Sequence, residues 1–262
     1  MFHGFNNEFL YTAIKIETTF DVEGKRITVL GTCFFVLRDG KLSLITNRHL
    51  LDYSYKKKPG NPQGKIVQLS IKTKIKNAEG LPVGDLQLVL TGGNIIFHKN
   101  YFNDVAAVIS LKATNVDGSE YRHIDQCVYY DFIADNDLIN ACTVCDFVAF
   151  PGFPEWHDKA ENRPILRTGA ISSDPRFNYS YNDIVKGDCI AYEAFSFSGS
   201  SGSPVFALQR GYDIHSHYRP FKLIGINAGH LPGEFPGTHS GISYFYKSTI
   251  IIDLLNGNNI EA

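Results

Sequence analysis

The sequence is short of several things, and each shortage closes a class of explanation. Lysine and arginine total 25 against 27 aspartates and glutamates, so a formal charge of −2 leaves no basic excess for gripping nucleic acid. No window approaches the roughly 18 apolar residues that a membrane-spanning helix needs. The opening residues, MFHGFNNEFLYTAIKIE, lack a basic segment ahead of an apolar one, so no secretory leader is expected. Five cysteines, an odd number, do not form a disulfide framework. The expected setting is the cytoplasm, with neither membrane nor nucleic acid as a partner. Repeats and low-complexity tracts are also missing, and helical periodicity is scarce.

What is present points to strands. Hydrophobic residues make up 44% of the 262, with 14 tyrosines and 19 phenylalanines. Short alternating or apolar runs recur between turn formers: FLYTAIKIETTF, RITVLGTCFFVL, KLSLITN, KIVQLSIKTKIK, LQLVL and DVAAVISL. After the polar stretch ATNVDGSEYRH the pattern resumes with ACTVCDFVAF, PILRTGAIS, CIAYEAF, SPVFAL, FKLIGINAG and GISYFY. Turns are expected at VEGK around Gly24 and NAEG around Gly80, where glycine adopts a positive φ at little cost. One helix is expected near the end, in KSTIIIDLLNG, with Ser248 or Thr249 as cap and Gly257 as stop. The expected fold is all-β: two barrels or sandwiches of similar size, approximately 8–112 and 126–246, in a single domain spanning 1–262. A linker at 113–125 joins them and a short helix over 247–256 closes the chain.

Several patterns invite chemistry and are better explained without it. Cys142 and Cys145 form a CxxC, but in a strand residues three apart face opposite ways, which does not suit one metal ion. Core packing is the expectation there. Seven lysines crowd the segment from Lys56 to Lys76 with no acid between them. Lys72, Lys74 and Lys76 alternate, and a solvated face guarding a sheet edge is expected, in preference to attraction for an acidic partner. His215 and His217 could share a loop face, yet no third ligand is evident.

The segment SFSGSSGSPVF, from Ser196 to Phe206, is different: a loop of small residues running straight into an apolar strand. In a tight Gly199-Ser200-Ser201-Gly202 loop, Gly199 lets its N–H turn inward, and Gly202 leaves room for a substrate carbonyl beside Ser201. The N–H groups of Gly199 and Ser201 are then candidate oxyanion donors. A nucleophilic serine needs a base, and LITNRHLLD puts His49 just after an apolar strand. The base needs an orienting acid, and YFNDVAAV puts Asp104 at the mouth of another. An α/β-hydrolase is excluded: glycine directly follows Ser201, both partners precede it, and helices are few.

In GTCFFV with LITNRHLL, NDVAAV and GSSGSPVF, the sequence resembles the trypsin/chymotrypsin-like serine peptidases, with some likeness to the bacterial glutamyl endopeptidases. GFP at Gly152, RTGAIS near Gly169 and LIGINAG near Gly225 add to the resemblance. It implies two side-by-side barrels, a serine endopeptidase with His49, Asp104 and Ser201 as triad, and no metal or cofactor. It also implies a protein or peptide substrate, and leaves room for a regulatory protein partner. Three departures stand out. Ser200 replaces the aspartate often found before the nucleophile, Ser203 replaces a glycine, and Phe195 replaces the pocket-base aspartate, which argues against cleavage after Lys or Arg. Ser196, Asn227 and His230 complete the expected substrate pocket; acid-selective relatives carry histidine where Asn227 stands, so His230 is the candidate substitute. The alternative is a peptide-binding or scaffolding module that kept this fold without turnover.

Overall fold

A computed structural model describes residues 5–57, 62–119, 124, 126–182, 185–213, 217–235 and 237–257, and the backbone of 259–261. Six strands make the first barrel: β1 (Ile14–Val22), β2 (Lys25–Arg38), β3 (Lys41–Thr46), β4 (Lys65–Lys76), β5 (Pro82–His98) and β6 (Ala106–Asn115). They pair in the order β1-β4-β5-β6-β3-β2, and β2 returns to β1 to close the ring. A two-strand parallel contact adds β7 (Val128–Tyr129) beside β2. The second barrel is formed by β8 (Phe147–Gly152), β9 (Ile165–Ile171), β10 (Cys189–Glu193), β11 (Pro204–Ala207), β12 (Lys222–Pro232) and β13 (His239–Lys247). These close in the order β10-β13-β12-β11-β8-β9. The chain ends in a helix, Ser248–Leu255, and a strand, β14 (Asn259–Glu261), that pairs with β5.

The alternation of β1, IKIETTFDV, turns Ile14, Ile16, Thr18, Phe20 and Val22 inward and leaves the residues between them half-buried. By contrast GTCFFV in β2 is apolar on both faces because both faces are covered. Cys33 and Phe35 point into the first barrel, while Phe34 and Val36 join Phe206, Leu223, Ile226 and Tyr246 between the barrels. Burying one such aromatic side chain contributes roughly 2–3 kcal/mol. The hairpin at Glu23-Gly24 has φ of 51° and 80°, the doubly left-handed turn that suits strand twist, and Gly80 has φ of 76°.

Four local expectations are revised. The CxxC is not in a strand: Cys142 ends a helix, Asn136–Ala141, and Cys145 lies exposed in a turn with φ of 66°, so only Cys142 packs in the core. No disulfide joins the described cysteines, and among the described residues no group of three ligating side chains could hold a metal. Ser248 does not cap the last helix; its hydroxyl donates to Ala134 O at 2.6 Å, and Lys247 occupies the cap position. The first apolar run begins with a helical turn, Asn7–Leu10, capped by Asn6, which places Phe9 against Phe206 and Phe221. Finally, β4 is no edge. It lies between β1 and β5, and Lys74 is buried against Asp85, Nζ to Oδ1 2.5 Å. Lys58 and His215 lie outside the described residues.

Candidate active site

His49 enters from a 3-10 turn, Arg48–Leu50, that follows β3. Leu50 and Leu51 sink into the first core and hold the turn from below. Arg48 holds it from the side: its Nε and Nη2 donate to Asp52 Oδ2 at 3.0 and 2.9 Å. The same guanidinium lies 4.4 to 5.0 Å from the ring centroids of Phe97, Tyr55 and Tyr101. Asp104 comes from the residues just before β6, and Asn47 Nδ2 donates to its backbone carbonyl at 2.7 Å. The carboxylate grips His49 twice. Oδ1 accepts the His49 backbone N–H at 2.9 Å, and Oδ2 faces Nδ1 at 2.8 Å. With Nδ1 as the donor, a neutral imidazole presents Nε2 as its acceptor. The imidazole is one-third exposed and the carboxylate only 7%.

Burial alone would lift the Asp104 carboxyl. The positive charge and two hydrogen bonds of His49, joined by the ammonium of Lys56, outweigh it and hold the group below the usual aspartate range. Lys56 stands at φ of 56°, its Nζ 4.0 Å from Asp104 Oδ2 and donating to Tyr246 Oη at 3.3 Å. Tyr55, Tyr244 and Tyr246 crowd the same carboxylate; burial first and the Asp104 charge second raise all three phenols, so they remain neutral.

Ser201 comes from the second barrel. Its hydroxyl donates to Ala228 O at 3.3 Å. The loop that carries it is held by Thr32 of β2. The Thr32 N–H donates to Ser201 O at 2.8 Å, its hydroxyl donates to Gly199 O at 2.7 Å, and its carbonyl accepts from Thr46 Oγ1 at 2.8 Å. Gly199 and Gly202 have φ of 90° and 86°. A Cβ on Gly199 would stand 2.2 Å from Phe153 O, and one on Gly202 1.9 Å from Thr32 O. Gly202 therefore makes room for the facing barrel, not for substrate. Ser200 and Ser203 N–H bond within the loop and Gly202 N–H reaches Asn227 O, whereas the N–H groups of Gly199 and Ser201 have no acceptor among the described residues. Ser203 fits because Gly152 has no side chain; a Cβ there would lie 2.2 Å from Ser203 Oγ.

The four pocket candidates sit together at one flank of this loop, in different states. Phe195 is 57% exposed and forms no pocket floor. Asn227 is fully buried and committed: it accepts from Tyr192 Oη at 2.7 Å and donates to Ser196 Oγ and Ser200 O at 2.9 and 2.8 Å. His230 stacks on His239 with centroids 4.2 Å apart, and Phe195 and Phe197 flank His239 at 5.0 and 5.7 Å. Arg167 covers the Phe197 ring at 4.5 Å and donates to Phe195 O. Burial lowers the affinity of both imidazoles for a proton, and their mutual repulsion adds to this at His239.

Searched against solved structures, the chain aligns with Anisep, a protease from Arthrobacter nicotinovorans, at a TM-score of 0.57 and 15% identity, over 95% of each chain. It aligns with the HtrA-type protease AlgW with tripeptide at 0.56 and 14%, over 97% of this chain and 63% of that one. Deg5 gives 0.50 and 15%, over 94% and 89%. The fold is that of the trypsin-like proteases. No protein-family model and no curated protein matches the sequence. Within this trypsin-like frame, Thr32, Lys56, Arg167 and His239 had not been expected at the site. Thr32 lay inside GTCFFV, where the hydrophilic residue in an apolar run was the available signal.

Two outcomes test this arrangement. Thr32→Val leaves the part-buried Gly199 carbonyl and the buried Phe153 N–H, 3.1 Å from Thr32 Oγ1, without partners. A loss of about 2 kcal/mol in urea denaturation is expected. The depressed Asp104 carboxyl contributes stability above the ordinary aspartate value and loses it as pH falls through the lowered folded-state value. Lys56→Met raises that value, so acid unfolding followed by circular dichroism should begin at higher pH, whereas Lys56→Arg should keep the wild-type midpoint.

Proposed function

We propose that the chain is a serine endopeptidase, with Ser201 as nucleophile, His49 as general base and Asp104 as the orienting acid. The observation that carries this reading is the double grip of Asp104 on His49, which leaves Nε2 as a proton acceptor in a one-third exposed ring. In this mechanism Ser201 Oγ attacks a peptide carbonyl and passes its proton to Nε2. The carbonyl oxygen becomes an oxyanion, and the unpartnered N–H groups of Gly199 and Ser201 are the donors suited to it. The imidazolium, balanced by Asp104, gives the proton to the leaving amine. Water then hydrolyses the acyl-enzyme by the same route in reverse. Each step uses groups of this chain and needs no metal or cofactor.

The bond from Ser201 Oγ to Ala228 O favours a second reading, a peptide-binding module without turnover. Rotation about one side-chain bond redirects a serine hydroxyl, so that bond is no barrier to the first reading. A fluorophosphonate probe separates the two. Labelling of the wild type that disappears in Ser201→Ala supports the peptidase, and folded wild type that never labels supports the binder. His49→Ala is expected to lower kcat about 10⁴-fold or more; near-normal turnover would dismiss His49 as the base.

The pocket flank supports selection of an uncharged side chain ahead of the scissile bond at neutral pH, because the lowered proton affinity of His230 and His239 keeps both imidazoles neutral there. As pH falls through their lowered values they charge, and acidic side chains, ionised down to roughly pH 4.3, should gain. Peptide-library profiling at neutral and mildly acidic pH checks this; a strong glutamate preference at neutral pH would contradict it.

A further inference from the structure

A second recess of about 720 Å³ opens on the other flank of the serine loop. It shares Ser198 and Gly199 with that loop but none of Phe195, Ser196, Asn227 and His230. A peptide whose carbonyl oxygen meets the Gly199 and Ser201 N–H groups, with the preceding side chain at the histidine flank, must run its following residues across this recess. Its walls carry Lys15, Lys72, Lys159 and His157.

The charges are arranged, not scattered. Lys15 and Lys72 are direct cross-strand partners on β1 and β4. Like charges placed opposite each other destabilise a sheet pair. Glu17, two residues along β1, relieves this by bridging both, at 3.3 Å from Lys15 Nζ and 3.2 Å from Lys72 Nζ. One carboxylate thus serves two ammonium groups. Asp85, also on the wall, is taken by Lys74. Glu155 and Lys159 also line the recess, one charge of each sign. The three ammonium groups of Lys15, Lys72 and Lys74 meet two carboxylates, those of Glu17 and Asp85, which leaves a place for one more anion. In His157, Nδ1 lies 2.8 Å from Pro154 O, which can only accept, so Nδ1 is the donor of that bond.

We propose that this recess is a subsite for acidic side chains within the first few residues after the scissile bond, with Lys15 and Lys72 as its specificity-determining residues. The inference rests on the peptidase reading for its direction and on the lysine pair for its chemistry. It assigns the substrate as a chain carrying Asp or Glu just beyond the cleaved bond.

The test compares peptides identical up to the scissile bond and bearing Glu, Gln or Lys beyond it. For the wild type at low ionic strength, kcat/KM should favour Glu over Gln by about three- to tenfold, mainly through KM, with Lys least favoured. Added salt should erode the preference. Lys15→Gln with Lys72→Gln should abolish it while turnover of a small ester, which has nothing beyond the scissile bond, stays unchanged. Lys72→Arg should retain it, and Glu17→Gln, which releases both ammonium groups, should enlarge it. Equal use of Glu, Gln and Lys peptides by an enzyme that still hydrolyses the ester would overturn the subsite and leave the peptidase standing. Should the wild type neither label nor hydrolyse the ester, the peptidase reading falls. Anisotropy titration of the same Glu and Gln peptides onto Ser201→Ala then decides the recess: tighter Glu binding that is lost in the lysine variants supports it, and equal binding rejects it.

Discussion

Thr32 is the point on which the site depends. The loop from Ser196 to Ser203 contains one large apolar residue, Phe197, so packing alone cannot hold its shape. Thr32 replaces packing with hydrogen bonds to the carbonyls of Gly199 and Ser201, and Thr46 braces Thr32 in turn. Each bond contributes on the order of 1 kcal/mol, but an unmade one in this buried setting costs more than that. Since Thr32 belongs to the first barrel and the loop to the second, the same contact sets both the loop shape and the barrel-to-barrel placement. The two left-handed glycines are consequences of that proximity: the carbonyls of Phe153 and Thr32 occupy the space that side chains would need.

A second link between the barrels works through charge. Asn103, adjacent to Asp104, donates to Asp188 Oδ2 at 2.8 Å and accepts the Asp188 N–H at 2.9 Å. The segment bearing the orienting acid is therefore anchored to the start of β10. Asp104 itself sits between His49 and Lys56, in a pocket otherwise walled by phenols. A buried carboxylate with one partner has a strong incentive to take up a proton; a cation at 4.0 Å opposes that, even though Lys56 is partly solvated and its effect is screened accordingly. Ala228, whose side chain carries no donor, contributes only its carbonyl.

The sequence made some of this legible and hid the rest for physical reasons. Alternating and apolar runs expose strands because burial has a period of two; their number and spacing gave two β units of similar size, and the family resemblance implied that these are barrels. The juxtaposition of Asp104 with His49 was readable through order and neighbourhood, since each follows or precedes an apolar strand. The cysteine pair misled because a helix C-terminus and a turn intervene before Phe147, and β-branched residues around Cys142 and Cys145 do not forbid either. The lysines of β4 misled because an exposed edge and an interior barrel strand bearing buried ion pairs show the same alternation. Distinguishing them requires knowing that Glu17 and Asp85 come alongside, which is a matter of register between strands far apart in sequence. His239 was missed for a similar reason: it reaches His230 only through the β12–β13 pairing, with a bulge between them.

The two flanks of the serine loop differ in how firmly their chemistry is fixed. At the histidine flank, His230, His239, Phe195 and Phe197 meet stacked or tilted, and the charge state of the two imidazoles can change with pH. At the lysine flank the position of the charge is set by strand register. Lys15 and Lys72 stand opposite each other because β1 pairs with β4, and β1 also closes the barrel against β2. A slip of one residue in that register would turn Ile14, Ile16 and Ile71 outward and disrupt the first core. The lysine pair is therefore held in place by the hydrophobic core behind it, and the strand that carries Thr32 to the serine loop is the same one that locks this register.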